Sequence, residues 1–250
     1  HYELCQYLQR AGAGIDTRDE HDLTPLIHAA IEGDLETCQL LLDHNADLRA
    51  KTKDGSNALL EAASWGNVEV VQELIDRGCN VNCQNHQQLS PLLAAAAGGH
   101  ANTVALLLRE NADTTMVDMH GRNAAHHACM SKSVDIMKLL EDHDLDWNAI
   151  AQIEHTSPSK RDSASLVYYD MYYSGGCIAY LLKKGLIHQA TLTTSYGWLP
   201  LHTACSYGRN DYVKLLLEYG ADVHATIFDG RTALHVAAGS GQTHIIPTLL

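Results

Sequence analysis

The sequence lacks the short motifs that organise common catalytic sites. It has no Gly-x-x-x-x-Gly-Lys phosphate loop, no Gly-x-Ser-x-Gly nucleophile turn and no His-Glu-x-x-His zinc-binding helix. These absences predict a chain that is not itself an enzyme, with no catalytic residues and no cofactor. A catalytic domain elsewhere on a longer chain is compatible with this prediction.

Positive charge is scarce. Lys and Arg total 17 residues against 30 Asp and Glu, which gives a formal net charge of −13. Nucleic-acid binding needs a basic surface, so nucleic acid is not an expected partner. A basic protein or peptide is the expected partner, because the field of an acidic protein attracts cations. The alternative is that the negative charge serves only solubility.

Features of secreted and membrane proteins are also missing. The seven cysteines are an odd number scattered along the chain, there is no Asn-x-Ser/Thr sequence, and no signal peptide is expected. A reducing compartment, the cytoplasm or the nucleus, is therefore expected. The uncharged stretch 87–108 contains Pro91, Gly98 and Gly99. It is therefore interpreted as two short helices, without membrane insertion.

What the sequence does contain is a repeat of 33 residues. The segment Gly197–Gly208 recurs as Gly230–Gly241, and each segment combines a turn, a helix start and a glycine stop. One residue marks the start of each repeat, at Thr24, Asn57, Ser90, Asn123, Leu166, Leu199 and Thr232. These anchors are 33 residues apart, except for an interval of 43 between Asn123 and Leu166. Polar anchors are expected to cap a helix, whereas Leu166 and Leu199 require weaker starts or another cap.

Two further patterns divide each repeat into two helices. A glycine expected to end the first helix lies nine residues after most anchors, at Gly33, Gly66, Gly99, Gly175, Gly208 and Gly241. The fourth repeat has Lys132 there. Apolar residues at spacings of three and four, such as Val71, Leu74 and Ile75, predict a second helix. The early Gly185 predicts a shortened second helix in the fifth repeat.

The 33-residue period, with segments such as Leu199-Pro200-Leu201-His202 and Thr232-Ala233-Leu234-His235, resembles the ankyrin-repeat family over essentially all 250 residues. The resemblance implies an all-α solenoid of stacked helix-turn-helix units with finger loops. We expect one array over 1–250, with a half repeat at 1–20, about seven repeats and an insertion loop at about 147–165. Both ends cut through repeats, so a fragment of a longer protein is expected.

The resemblance also implies a partner-binding surface on the concave side, formed by finger tips and the exposed faces of the first helices. The candidate partner-binding residues are Glu32, Glu61, Trp65, Asp170, Tyr173, Tyr196, Trp198 and Tyr207. Aromatic rings beside carboxylates suit an Arg or Lys side chain. The alternative is that Tyr168, Tyr169, Tyr172 and Tyr173 only replace apolar contacts in an irregular repeat.

Two other groups of residues have competing interpretations. His126, His127 and Cys129 resemble metal ligands, but His126 shares its repeat position with His202 and His235, so a structural role and no metal site are predicted. The insertion is interpreted first as a tolerated insertion; the alternative is a loop that contacts a partner or is phosphorylated, since Ser157-Pro158 suits a proline-directed kinase.

The predicted function is a non-catalytic protein-interaction module or scaffold. The alternative is a regulatory or histone-tail-reading arm of a larger enzyme such as a lysine methyltransferase, suggested by the stretches 11–17 and 81–84. In that family a cage of tryptophans and a glutamate follows. Here the matching positions are Leu89, Ala94, Ala97 and His127, so the cage is absent. A third possibility is self-association through the repeat ends.

Overall fold

The computed structural model describes residues 12, 14–149, 151–153, 162–173, 176–186 and 197–250. These residues fall into two compact units, the first comprising the chain up to 119 with 138–145, and the second comprising 120–137 with 146–250. The candidate residue Tyr196, the stretch 154–161 of the insertion between the fourth and fifth repeats, and most of the half repeat at 1–20 lie outside the described residues.

The first unit consists of three consecutive helix pairs. Its helices are α1 (Pro25–Glu32), α2 (Leu35–Asp43), α3 (Ala58–Trp65), α4 (Val68–Asp76), α5 (Pro91–Gly98) and α6 (Ala101–Arg109). The first helices α1, α3 and α5 pack side by side, and the second helices α2, α4 and α6 form a parallel layer. Small residues such as Ala62 and Ala95 are fully buried between the first helices, so neighbouring repeats approach closely.

The second unit continues the same pattern with shorter helices. Its elements are α7 (Ala124–Met130), α8 (Val134–Leu139, divided between the units), β1 (Ala151–Ile153), β2 (Asp162–Ala164), α9 (Leu166–Tyr173), α10 (Ile178–Lys183), α11 (Pro200–Ser206), α12 (Asn210–Glu218), α13 (Ala233–Gly239) and α14 (Ile246–Leu249). The first helix α9 packs against α7 and α11, and α11 packs against α13. The predicted all-α repeat architecture is confirmed.

A two-stranded hairpin frames the insertion. Strands β1 and β2 pair antiparallel, with Ala151 opposite Ala164 and Ile153 opposite Asp162. This short ladder is an addition to the all-α repeats. It closes the extra residues of the long interval at their base, so the insertion leaves and re-enters the array at one place.

The polar anchors cap their helices as predicted. Thr24, Asn57, Ser90 and Asn123 each accept a hydrogen bond from the backbone N–H three residues later, at 3.4, 3.0, 3.3 and 3.2 Å. Leu199 makes no such bond among the described residues, which agrees with the weaker start expected there. The early Gly185 has φ 90°, and α10 is only six residues long, so the shortened second helix is confirmed.

The fifth repeat starts one residue earlier than its predicted anchor. Helix α9 begins at Leu166 itself, whereas the other first helices begin one residue after their anchors. The cap is Ser165, whose hydroxyl accepts the N–H of Tyr168 at 3.5 Å. Positions in this repeat therefore count from Ser165, which changes the residues that occupy each structural position.

The turns after the first helices use left-handed backbone. Gly66 and Gly99 have φ of 78° and 76°, which glycine adopts at least cost. Lys132 adopts φ 60° at the equivalent place in the fourth repeat, so the turn is kept without glycine.

The six described cysteines are free thiols. Cys129 and Cys205 are fully buried at a position where other repeats have alanine. Burial raises the pKa of Cys205 to about 12, so this thiol stays protonated at neutral pH. None of the described helices is long and apolar enough to span a membrane.

Candidate partner-binding surfaces

In the first unit, candidate residues occupy equivalent positions on neighbouring helices. Glu32, Trp65 and Gly98 each lie eight residues after a capping anchor, at the ends of the adjacent helices α1, α3 and α5. Glu32 is exposed, and the Trp65 side chain is 61% exposed. Gly98 has no side chain to cover the indole. We call Glu32, Glu61 and Trp65 the Trp65 surface.

Glu61 contributes negative charge one helical turn before Trp65, on the same face of α3. Its side chain is half-buried, and desolvation raises its pKa, helped by the nearby charge of Asp54 and opposed by a hydrogen bond with Ser56. Asp54 is desolvated too, but hydrogen bonds from Thr52 and Ser56 hold its pKa below the ordinary value. A cation bound here would relieve the repulsion between the two carboxylates.

The exposed cations of the neighbouring fingers are already engaged. Lys53 Nζ donates to the carbonyl oxygen of Glu20 at 2.6 Å, and Arg18 donates to the carbonyl oxygen of Lys51 at 2.6 Å. Because the side chains of Lys53 and Arg18 donate to backbone carbonyl oxygens of a neighbouring finger loop, they do not neutralise the carboxylate of Glu61. The acidic character of the Trp65 surface is therefore retained.

In the second unit, the shifted register brings two candidate tyrosines to equivalent positions. Tyr173 is the eighth residue after Ser165, as Tyr207 is after Leu199, and α9 and α11 are neighbours. Tyr207 is 55% exposed. The rings of Tyr172 and Tyr173 meet edge to face at 5.1 Å, and burial together with Tyr207 and Tyr173 raises the pKa of Tyr172.

Arg209 was not a candidate from the sequence, but it lies against these aromatic rings. Its guanidinium carbon is 5.8 Å from the ring centre of Tyr207 and 5.5 Å from that of Tyr212. Tyr172, Tyr173, Tyr207 and Arg209 form what we call the Tyr207 surface. One cation of the chain therefore already stacks on the exposed ring of Tyr207.

Asp170 does not lie on either surface. It is fully buried, and its carboxylate accepts hydrogen bonds from the N–H groups of Cys177 at 2.8 Å, Ile178 at 2.9 Å and Gly176 at 3.2 Å. Tyr212 adds a hydroxyl bond at 3.4 Å. Desolvation raises the pKa of Asp170, and these hydrogen bonds oppose the rise.

The register explains this outcome. Counted from Ser165, Asp170 occupies the fifth position, where the other described repeats bury an alanine, namely Ala29, Ala62, Ala95, Ala128, Ala204 and Ala237. Its contacts hold the segment that starts α10. Asp170 is therefore a structural residue, and we leave it out of the proposed interface.

The finger before the sixth repeat carries the last described candidate, Trp198, which is half-buried. Beside it, the ring of Phe228 lies so close to Gly197 that a Cβ on Gly197 would approach it to 2.5 Å. Phe228 is 78% exposed and was missed by the sequence reasoning. Its finger position, four residues before the anchor, is also exposed in Lys53 and His86, and this periodicity was the available signal.

Two of the histidines that recur in the repeats, His126 and His235, bond the starts of their own helices. Nδ1 of His126 accepts the N–H of Asn123 at 3.3 Å, and Nδ1 of His235 accepts the N–H of Thr232 at 3.3 Å. Across the described ranges, no group of three or more His, Cys, Asp or Glu side chains is placed to hold a metal ion. The structure thus gives His126 the kind of local role that its repeat position suggested.

Comparison with known proteins agrees with this architecture. A family model described as ankyrin repeats matches three times, at residues 1–85, 69–151 and 171–250. The mouse B-cell lymphoma 3 protein homolog is 29% identical over 150 residues, which are 59% of this chain and 32% of that protein. The chicken nuclear factor NF-kappa-B p105 subunit is 31% identical over 144 residues, 57% of this chain and 14% of that protein.

Among solved structures, the human ASB11 ankyrin repeat domain superposes with a TM-score of 0.75. The match covers 91% of this chain and 96% of that domain at 23% identity, and it shows the fold. The chain spans at most 32% of the length of the two relatives named above. The histone-reading alternative stays a prediction; of its positions, Ala94 and His127 are buried.

Proposed function

This chain belongs to the ankyrin-repeat family, and we propose that it binds a basic protein or peptide at the Trp65 surface. Ankyrin repeats are generally protein-interaction modules, and their fold is typically non-catalytic. The proposal adds the place of contact and the charge of the partner.

The exposure of Trp65 carries the proposal. At 61% exposure the side chain leaves on the order of 120 Å² in water, whose burial by a partner is worth about 3 kcal/mol. Binding hot spots are enriched in tryptophan for this reason. An exposed tryptophan beside a side-chain-free Gly98 therefore supports a docking point for a partner side chain.

The neighbouring charges favour a cation in that place. Glu61 lies one turn before Trp65 on α3, and Glu32 lies at the equivalent position of the adjacent helix α1. The chain as a whole carries a formal charge of −13. A Lys or Arg over an indole contributes about 0.5–2 kcal/mol, and the carboxylates add ion pairing. In the Tyr207 surface, Arg209 already takes the equivalent role, so we assign the preference for a basic side chain to the first unit.

Selection from a phage-displayed library of random peptides tests the proposal without a known partner. Peptides enriched on the 250-residue protein should contain Arg or Lys. Their affinity, measured by calorimetry, should fall about 30-fold in Trp65→Ala, which corresponds to about 2 kcal/mol. The Glu32→Gln/Glu61→Gln double variant should lose affinity and salt dependence together.

Tyr219→Ala is the matched control. Tyr219 is an aromatic residue of 36% exposure at the end of the second helix α12, away from the first-helix face. Its replacement should leave peptide affinity unchanged. Enriched peptides without a cationic residue, or equal affinities for the Trp65→Ala variant and the unmodified protein, would contradict the proposal.

A further inference from the structure

We propose that the N-terminus of α6 binds a carboxylate group of a protein ligand. A cavity of about 270 Å³ lies there, lined by Gly66, Gly99 and the first turn of α6 with Thr103. The first N–H groups of a helix have no partner within it, and the helix dipole favours negative charge there. A second observation, on Thr103, distinguishes this helix start from the others.

The first repeat shows what a carboxylate does at this position. Asp34 caps α2, and its two carboxylate oxygens accept from the N–H of Thr37 at 3.0 Å and from the hydroxyl of Thr37 at 2.7 Å. These bonds hold the pKa of Asp34 below its ordinary value, although burial opposes them. A threonine three residues after the cap therefore offers two donors to one carboxylate.

Helix α6 keeps this threonine but lacks the carboxylate. Its capping residue is His100, whose ring Nε2 bonds the carbonyl oxygen of Ser64 at 3.0 Å instead of turning to α6. Thr103 matches Thr37 in the repeat and is fully buried. Within the part of the chain that the structure describes, its hydroxyl has no hydrogen-bond partner.

An unpaired buried hydroxyl costs about 1–3 kcal/mol, so a ligand that accepts from it has a specific gain. By analogy with Asp34, a carboxylate in the cavity would accept from both the hydroxyl and the N–H of Thr103. The intervening helix α4 shows that this pair of donors is not general. Its cap Asn67 donates to the carbonyl oxygens of Ala30 and Ile31 at 2.8 Å each, and Val70 has no hydroxyl.

The surroundings restrict the anion that fits. The His100 ring lies against Gly66, where a Cβ would approach the ring to 2.5 Å. Glu69 lines an adjoining cavity of about 490 Å³ that shares Gly66 and Asn102. The negative charge of Glu69 repels a doubly charged phosphate more strongly than a singly charged carboxylate, so a carboxylate suits the site better.

Acetate is the probe, titrated into the ¹⁵N-labelled 250-residue protein while sodium chloride keeps the ionic strength constant. The amide signals of Asn102 and Thr103 should shift and saturate. The shifts should be lost in Thr103→Val, which removes the hydroxyl. Val70 at the equivalent position of α4 shows that valine fits there. They should also be lost in His100→Asp, which would supply its own carboxylate as Asp34 does.

Thr37→Val is the matched control, because the same substitution on α2 should leave the acetate shifts at α6 unchanged. Thermal unfolding verifies that each variant is folded. N-acetylglycine and N-acetylglutamate α-amide then compare a C-terminal with a side-chain carboxylate, and saturable binding of either supports the site. Absence of saturable acetate shifts, shifts that persist in His100→Asp, or tighter binding of inorganic phosphate would overturn the proposal.

Discussion

Replacing Asp170 by alanine removes an acceptor on which the start of α10 depends. The carboxylate receives the buried N–H groups of Cys177 and Ile178 at 2.8 and 2.9 Å. Alanine is the residue at the equivalent position of the other described repeats, so the smaller side chain fits the packing there. The substitution therefore isolates the loss of the hydrogen bonds from any steric change.

The expected loss in the free energy of unfolding follows from the N–H groups that Asp170→Ala leaves unpaired. Each buried N–H without an acceptor costs about 1–3 kcal/mol, so two cost about 2–6 kcal/mol. Removing a desolvated carboxylate returns part of this loss. We expect the free energy of unfolding of the second unit to fall by about 2–4 kcal/mol in Asp170→Ala, and by roughly half as much in Asp170→Asn, which keeps one carbonyl oxygen.

Urea unfolding and amide hydrogen exchange measure this effect. The amides of Cys177 and Ile178 should exchange faster in Asp170→Ala, while those of the first unit keep their rates. Peptide affinity at the Trp65 surface should not change. A loss of stability below about 0.5 kcal/mol, or unchanged exchange at Cys177 and Ile178, would refute the structural role derived for Asp170.

Two further predictions concern other helix starts in the second unit. Ser165→Ala should lower the free energy of unfolding by about 1 kcal/mol, because the helix cap is lost. Leu166→Ser should lower it by about 2–4 kcal/mol, because Leu166 is fully buried. Equal losses for the two variants in urea unfolding would contradict the shifted register. Burial lowers the pKa of His202 below its ordinary 6.5, so the stability linked to this group is present above pH 6.5 and is lost as the pH falls through the folded-state value. His202→Gln should reduce the decline in unfolding free energy between pH 7 and pH 5, and an unchanged decline would exclude His202 as its source.

The two-helix repeats were predictable because their signals are local. A polar side chain caps the N–H three residues later, as Asn57 does, and glycine ends a helix at low cost in left-handed backbone, as Gly66 does. Both effects act within a few residues of the chain. The period of 33 then places the helices in order, since each repeat must bury its apolar face on the next.

The fifth repeat shows where this local reasoning stops. Ser165 and Leu166 are neighbours after a long insertion, and the regular spacing of later repeats favoured Leu166. The structure places Leu166 in the core and leaves Ser165 to cap α9. That one-residue choice moves Asp170 from the predicted surface into the interior.

The family and the repeated two-helix fold were readable from the sequence, and so was the exposure at Trp65 and Tyr207, because these follow from position within a regular period. Only the tertiary structure showed that Asp170 is buried, that Arg209 stacks on Tyr207 and that the hydroxyl of Thr103 lacks a partner. Each of these depends on how side chains from adjacent helices meet. Such contacts are set by packing distances of a few ångströms, which no spacing along the chain encodes.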